Sequence, residues 1–412
     1  MTQQSIVSPL PGLATLNVHL AKAQPSATYQ MMDRVAARRA SGANVISLSA
    51  GEPDFDTPKH VCEAAIEAIR TGHTRYTPVS GIRPLREAVA EKFRTENGLD
   101  VQWQDAMICS GGKQVIYNAL AATLNVGDEV IVPAPYWVSY PEMVQMVGSR
   151  PIIVSCGSDS NFKLTPELLR RAITARTRWL ILNSPSNPTG AVYTREDLSA
   201  LAEVLLEHPH VLVLSDDIYE HLVFDGATFH TMASVEPRLQ PRTVTMNGVS
   251  KAYAMTGWRI GFGTGPRWLL DAMEELQGQQ TSAASSISQH AALAALKGPK
   301  DFIRTTRAVF ESRRNMMVEA LDTTPGLSCQ KPGGAFYAFA SCDALIGRTT
   351  PAGVVLKSDE DVAIALLNEA DVGVVHGSAF GLGPFIRIAY ALDDASLSRA
   401  CDAIRNFCLS VK

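Results

Sequence analysis

The chain has 412 residues, with 37 Lys+Arg against 41 Asp+Glu and a formal charge of −4. Hydrophobic residues make up 46% and charged residues 19%, enough apolar material for a large core. This excludes disorder, collagen or a coiled coil as the main organisation. No uninterrupted apolar run of about 18 residues occurs, so a membrane span is not expected, and the slightly acidic balance argues against a nucleic-acid surface.

In chain order, the opening MTQQSIVSPLPGL has no basic region leading into a long apolar stretch and does not read as a signal peptide. Residues 11–50 read as mostly helical or irregular up to a strand at Asn44–Leu48. From residue 106 short apolar runs alternate with helical patterns. The expected strands are Ala106–Cys109, Glu129–Val132, Arg150–Ser155, Trp179–Asn183, Val211–Ser215 and Thr243–Met246. Between them lie helix starts: the Val115–Leu124 pattern, Thr165 followed by Pro166, and Thr194 with Asp197 before Leu198–Leu206. Alternating strand and helix implies a mostly parallel sheet covered on both faces. After about residue 290 the chain turns helix-rich, at Gln289–Leu296 and Phe302–Leu321, with strands at Ala335–Phe339, Val372–His376 and Phe385–Tyr390. Ser358 with Asp361 opens one more helix.

The chain reads as two domains, divided as residues 1–50, an N-terminal arm and part of the small domain; 51–295, the large domain; and 296–412, the small α+β domain. The seven cysteines (Cys62, Cys109, Cys156, Cys329, Cys342, Cys401, Cys408) are odd in number and contain no CxxC. They read as free thiols in a reducing compartment, the cytoplasm. No metal site is expected: His208 and His210 flank Pro209 in a turn with no further ligand nearby.

Four segments carry chemistry. Ser110-Gly111-Gly112-Lys113-Gln114 lies between a strand and a helix, where backbone N–H groups and the helix N-terminus favour an anion. The segment Asn183–Gly190 and the pair Asp216-Asp217 follow buried strands, at the ends where open α/β sheets bind ligands. A buried carboxylate there is costly unless it meets a cation. Tyr219 is expected one helical turn after Asp216 on the same side. Ser250-Lys251 sits among small and apolar residues, where burial would lower the lysine pKa and make a usable amine nucleophile; Arg259 follows eight residues later.

In order along the chain stand Ala50-Gly51-Glu52-Pro53-Asp54, Tyr76-x-Pro-x-x-Gly81, Gly111-Gly112-Lys113, Pro135-Tyr136-Trp137, Asn187-Pro-x-Gly190, Asp216-x-x-Tyr219, Ser250-Lys251 with Arg259, and Arg387. From Ser26 to about Phe407 the chain resembles the class I/II aminotransferases, pyridoxal-phosphate enzymes of fold type I. The resemblance implies a large domain with a mostly parallel seven-stranded sheet flanked by helices, plus the smaller α+β domain.

It also implies roles. Lys251 would hold pyridoxal 5'-phosphate as an internal aldimine and move the proton between substrate Cα and cofactor. Asp216 would face the pyridine nitrogen, Asn187 and Tyr219 the 3'-oxygen, and Trp137 the ring face. The backbone N–H groups of Gly112 and Lys113, with Ser250 and Arg259, would hold the phosphate, joined by Tyr76 from the neighbouring subunit of a homodimer. Arg387 and Gly51, with Trp137 and Asn187 beside them, would bind the substrate α-carboxylate. Where many relatives carry a serine three residues before the lysine, this chain has Gly248, and Asn247 is a candidate substitute.

Pro25–Thr28, Lys113 and residues 135–142 resemble the bacterial aspartate aminotransferase subgroup, in which Lys113 and Thr28 would read a distal carboxylate. Basic residues tend to occur in prephenate-using members where this chain has Gln24 and Asn44, which weighs against that substrate. The implied activity is ping-pong aspartate:2-oxoglutarate aminotransfer. The alternatives are an aminotransferase for aromatic, aliphatic or specialised amino acids, with Trp137, Tyr337 and Phe380 as an apolar pocket, or a β-lyase. Amino acids and 2-oxo acids are the expected partners, with no nucleic acid and no membrane.

Overall fold

A computed structural model describes Asn17, His19 and residues 23–412; residues 1–16, 18 and 20–22 of the expected N-terminal arm lie outside the described residues. Seven strands form the large sheet: β1 (Ala106–Cys109), β2 (Glu129–Ala134), β3 (Arg150–Ser155), β4 (Thr177–Asn183), β5 (Leu212–Asp216), β6 (Thr243–Gly248) and β7 (Gly261–Thr264). Their order is β1-β7-β6-β5-β4-β2-β3. All pairings are parallel except those of β7, which runs antiparallel to both β1 and β6.

Side-chain alternation explains why helices cover both faces. In β4, Trp179 and Ile181 pack with Ile116, Leu120 and Met273 on one face. Leu180 and Leu182 pack with Leu198, Leu201 and Leu205 on the other. The helices begin where their caps predict. Thr165 accepts from Leu168 N, Thr194 and Asp197 form a reciprocal capping box, and Ser358 accepts from Asp361 N.

Strand β7 is not among the strands named from the sequence, and its Gly-Phe-Gly-Thr run carries little strand propensity. Packing requires the glycines. A Cβ on Gly261 would lie 2.2 Å from Gly112 N, and one on Gly263 would lie 2.8 Å from Val115 Cγ1. The helix Gly112–Ala121 therefore rests directly on this strand.

The C-terminal third carries a four-stranded antiparallel sheet in the order Val375–His376, Phe385–Ala389, Tyr337–Ser341, Ser328–Cys329. The expected strand Ala335–Phe339 begins two residues later. Gly334 bridges Val223, and Ala335, at φ 58°, donates its N–H to Leu222 O, so this turn docks on the large sheet's loop instead of extending. The run Val372–His376 splits. Val372–Gly373 pairs in parallel with Ile46–Ser47, while Val375–His376 pairs with Phe385–Ala389. Met31, Val35 and Leu48 join the apolar cluster of this sheet with Phe310, Phe336 and Ile388.

One buried ionic cluster lies behind the large sheet's loops. Lys92 is ion-paired to Glu220, which also accepts from Asn97 Nδ2 at 2.6 Å, with His221 Nε2 3.3 Å away. Glu96 and Lys300 complete the group. Lys92→Met would strand a buried carboxylate. A loss of about 3–5 kcal/mol in urea unfolding is expected, and unchanged stability would refute the assignment.

Candidate active site

The chemistry-bearing segments follow β1, β2, β4, β5 and β6, so the sheet delivers them to one edge. They line a cleft of about 600 Å³ closed from the other side by Tyr337 and Arg387 of the C-terminal sheet and by the start of the helix Ala27–Ala40. Of the residues singled out by sequence, Thr28, Gly51, Gly112, Lys113, Trp137, Asn187, Asp216, Tyr219, Ser250, Lys251, Arg259 and Arg387 meet here. Tyr76 does not; it is 96% exposed and outside its own chain's cleft.

Lys251 follows β6 and reaches across to donate from Nζ to Gly51 O at 2.6 Å. Burial, with Arg259 and Arg387 nearby, lowers its pKa to about 8, against the opposing pull of Glu52. Asp216 ends β5 and is 3% exposed. Burial raises its carboxyl to about 6, although Tyr140 OH and Ile218 N donate to it. Tyr219 lies not on a helix but in a run of turns after Asp216, where Glu220 N bonds Asp217 O and Leu222 N bonds Tyr219 O. The expectation of a helical turn is corrected accordingly, while Asp216 and Tyr219 still face the same cleft.

Arg387 projects from Phe385–Ala389 and is 2% exposed. Nη1 donates to Asn187 Oδ1 at 3.1 Å and Nη2 to Ser49 O at 2.6 Å, while Nε has no partner among the described residues. The guanidinium lies between the rings of Tyr337 and Phe380, 4.8 and 4.9 Å from their centroids. Phe380 thus supports Arg387 from behind instead of forming the cleft wall expected of it. Asn187 is itself placed by its N–H bond to Asn183 Oδ1 at 2.8 Å.

The anion cradle depends on close backbone approach. A Cβ on Gly111, at φ 90°, would lie 2.5 Å from Arg259 Nη2, so glycine lets the guanidinium rest against the start of helix Gly112–Ala121. Ser250 is buried beside it. Gly248 is packed inside β6, where a Cβ would meet Ile218, Ile260 O and Gly261 at 3.1–3.2 Å. Asn247 does not substitute for a serine there; its Oδ1 accepts from Gly248 N and it does not line the cleft.

Lys113 turns its side chain inward. Nζ is 4.8 Å from the Trp137 ring centroid, and burial together with Arg259 lowers its pKa. Two cleft residues, Tyr140 and Thr256, had no assigned role in the sequence, and Tyr337 was expected only as part of an apolar wall. Tyr140 stood within the quoted 135–142 run but only folding aims its hydroxyl at Asp216. Thr256 Oγ1 bonds Glu52 Oε2 at 2.9 Å, tying the Gly51 loop to the Lys251 loop. The Tyr337 hydroxyl meets Tyr219. Outside the cleft, His210 bonds Thr174 O and His376 bonds Ser378.

A low-pKa amine beside two guanidiniums and a helix start suits an enzyme acting on small acids. Residues 43–404 match the family described as aminotransferase class I and II, and the chain belongs to that family: it is an aminotransferase. It is 53% identical over 400 residues to a Rhizobium leguminosarum bv. phaseoli protein named probable aspartate/prephenate aminotransferase, covering 97% of this chain and 100% of that one. It is similar to the crystal structure of the aspartate aminotransferase from Rhizobium meliloti, with TM-score 0.94, 48% identity, and 97% and 100% of the two chains covered. The Thermus thermophilus aspartate aminotransferase with maleate gives TM-score 0.89 at 40% identity, covering 96% and 100%. The fold-type-I architecture expected from the motifs is that of these structures.

Proposed function

We propose that this enzyme is a pyridoxal-phosphate-dependent aspartate:2-oxoglutarate aminotransferase with ping-pong kinetics. The carrying observation is that two cations line the cleft besides Lys251 and Arg259: Arg387, whose buried Nε–H is unpaired among the described residues, and Lys113, whose ammonium sits over Trp137. A dicarboxylate needs a cation for each end, since an unpaired buried carboxylate is expensive. The maleate in the Thermus structure, itself a dicarboxylate, supports the reading.

The donor set suits pyridoxal phosphate. The helix start at Gly112, with Ser250, Lys113 and Arg259, suits its phosphate; Asp216 suits a protonated ring nitrogen; Trp137 a ring face; Asn187 and Tyr219 a ring oxygen. When bound, that group supplies a carbonyl for the amine and a ring that withdraws electrons from the substrate Cα. Lys251 takes and returns the Cα proton, and its lowered pKa suits that work near neutral pH. Arg387 and Gly51 orient the α-carboxylate, and Lys113 with Thr28 reads the distal one. Oxaloacetate leaves before 2-oxoglutarate binds.

Residues 51–295 and 296–412 are proposed as the large and small domains, with residues 1–50 as the arm. A homodimer is proposed in which Tyr76 completes the neighbouring site, supported by its exposure away from its own cleft. The seven free thiols support a cytoplasmic location. Among the described residues no helix is long and apolar enough to cross a membrane.

The test is a donor panel on wild type and Lys113→Ser. Aspartate kcat/KM is expected to fall about 10- to 100-fold in the variant, with tyrosine turnover unchanged. Faster wild-type turnover of aromatic or aliphatic donors than of aspartate would overturn the assignment. Arg387→Lys, which loses the planar fork, is expected to raise KM for both dicarboxylates about 10- to 100-fold in steady-state assays; an unchanged KM would refute its role. Prephenate as an amino acceptor is the second reading, favoured by the name of the Rhizobium leguminosarum relative. Gln24, whose N–H bonds Glu142 Oε2 at 2.8 Å, presents no basic side chain for it. An acceptor panel with prephenate decides between them.

A further inference from the structure

Tyr337 has a buried hydroxyl for which the reading above has no use. Its Oη lies 2.8 Å from Tyr219 Oη, and the two rings meet edge to face at 5.8 Å. The hydroxyl is fixed from a third side, because a Cβ on Gly51 would lie 2.7 Å from it. The Arg387 guanidinium covers the ring. Tyr337 is 1% exposed and Tyr219 is 4% exposed. Burial raises the pKa of both phenols, so both carry their protons through the neutral range.

Two neutral hydroxyls hold two protons, and only one can lie in the bond between them. If Tyr219 donates to Tyr337, its proton is spent and it can only accept from a ligand. If Tyr337 donates, the Tyr219 proton is free for a ligand oxygen, and accepting one bond strengthens the donation of the other. Resting on the assignment of Tyr219 to the cofactor's ring oxygen, we propose that Tyr337 is a positioning residue that donates to Tyr219 and thereby makes it a donor toward that oxygen. Tyr337 comes from the C-terminal sheet and Tyr219 from the loop after β5. The hydroxyl pair thus joins the two walls of the cleft.

The charged groups facing the pair are Arg387 from Phe385–Ala389, Lys251 from the loop after β6, with Nζ 5.9 Å from the Tyr219 ring centroid, and Asp216 at the end of β5. A weakened donation from Tyr219 leaves the ring oxygen more electron-rich. That oxygen then holds more tightly the proton it shares with the Lys251 nitrogen.

The experiment is a pH titration of the visible absorbance of the pyridoxal-phosphate-loaded protein in wild type, Tyr337→Phe, Tyr219→Phe and the double variant. Phenylalanine keeps the ring under Arg387. Tyr337→Phe is expected to raise the absorbance midpoint by up to about one pH unit, the effect of one hydrogen bond. In the Tyr219→Phe background it should add nothing. A midpoint unchanged in Tyr337→Phe, or an equal shift in both backgrounds, overturns the proposal alone. A wild type that gains no pH-dependent band with pyridoxal phosphate overturns the cofactor reading and the proposal with it.

Discussion

Replacing Lys251 by alanine is expected to reduce aspartate–2-oxoglutarate transfer at least about 10³-fold. The loss should exceed that of any other single change in the cleft, because the amine has no substitute. Lys113 lies over Trp137, and Arg259 and Arg387 carry planar guanidiniums in place of an amine. The fold should survive. Lys251 makes one side-chain bond, to Gly51 O, and its removal relieves a desolvated amine. Coupled assays of oxaloacetate release, with thermal unfolding as the control, measure both. Turnover within tenfold of wild type would remove Lys251 from the mechanism. The same amine sets a pH dependence. Its pKa is lowered from 10.5 to about 8, so the neutral form dominates above about 8. The rate at which the unloaded protein takes up pyridoxal phosphate should rise with pH and reach its half-height near 8. A half-height near 10 would mean that the burial is not felt.

Asp216→Asn is expected to slow transfer about 10²- to 10³-fold, the scale of removing one preorganised electrostatic contact. Asparagine fills the same space, so the change isolates the charge. Stability should move the other way. Asp216 has a folded pKa raised from 3.8 to about 6. The folded state therefore binds the proton more tightly, and stability is lost as pH rises from about 3.8 through 6. At pH 7 the full cost is present, and the unloaded Asn variant should unfold at a temperature equal to or above wild type. A variant that is both slower and less stable would point to a packing role for Asp216 instead.

The motifs made most of the cleft legible before any coordinates. Lys251, Asp216, Asn187 and Arg259 each sit near a strand end or a glycine turn, and such positions show in local pattern; Arg387 stands out as a lone charge inside the apolar strand Phe385–Ala389. Strand β7 was hidden because its glycines answer to the helix lying on it, not to strand propensity. The C-terminal strand at Tyr337–Ser341 was misplaced by two residues because a tertiary contact, Ala335 N to Leu222 O, holds the preceding turn away from the sheet. Phe380 was read as a cleft wall from its apolarity alone; the structure puts it behind Arg387, as one of two rings enclosing the guanidinium.

By itself the sequence determined the alternation of strand and helix and the helix caps, and it singled out the Gly111-Gly112 turn and Lys251 as candidates. These depend on residues within a few positions of one another, where backbone sterics and side-chain period act directly. Tertiary structure alone decided that Tyr140 donates to Asp216, that Tyr337 meets Tyr219 and that Arg387 keeps one N–H unpaired among the described residues. The two hydroxyl contacts join residues 76 and 118 positions apart. Pairings at such separation follow from how sheets and helices pack, and the packing sums many small contacts that no local pattern records.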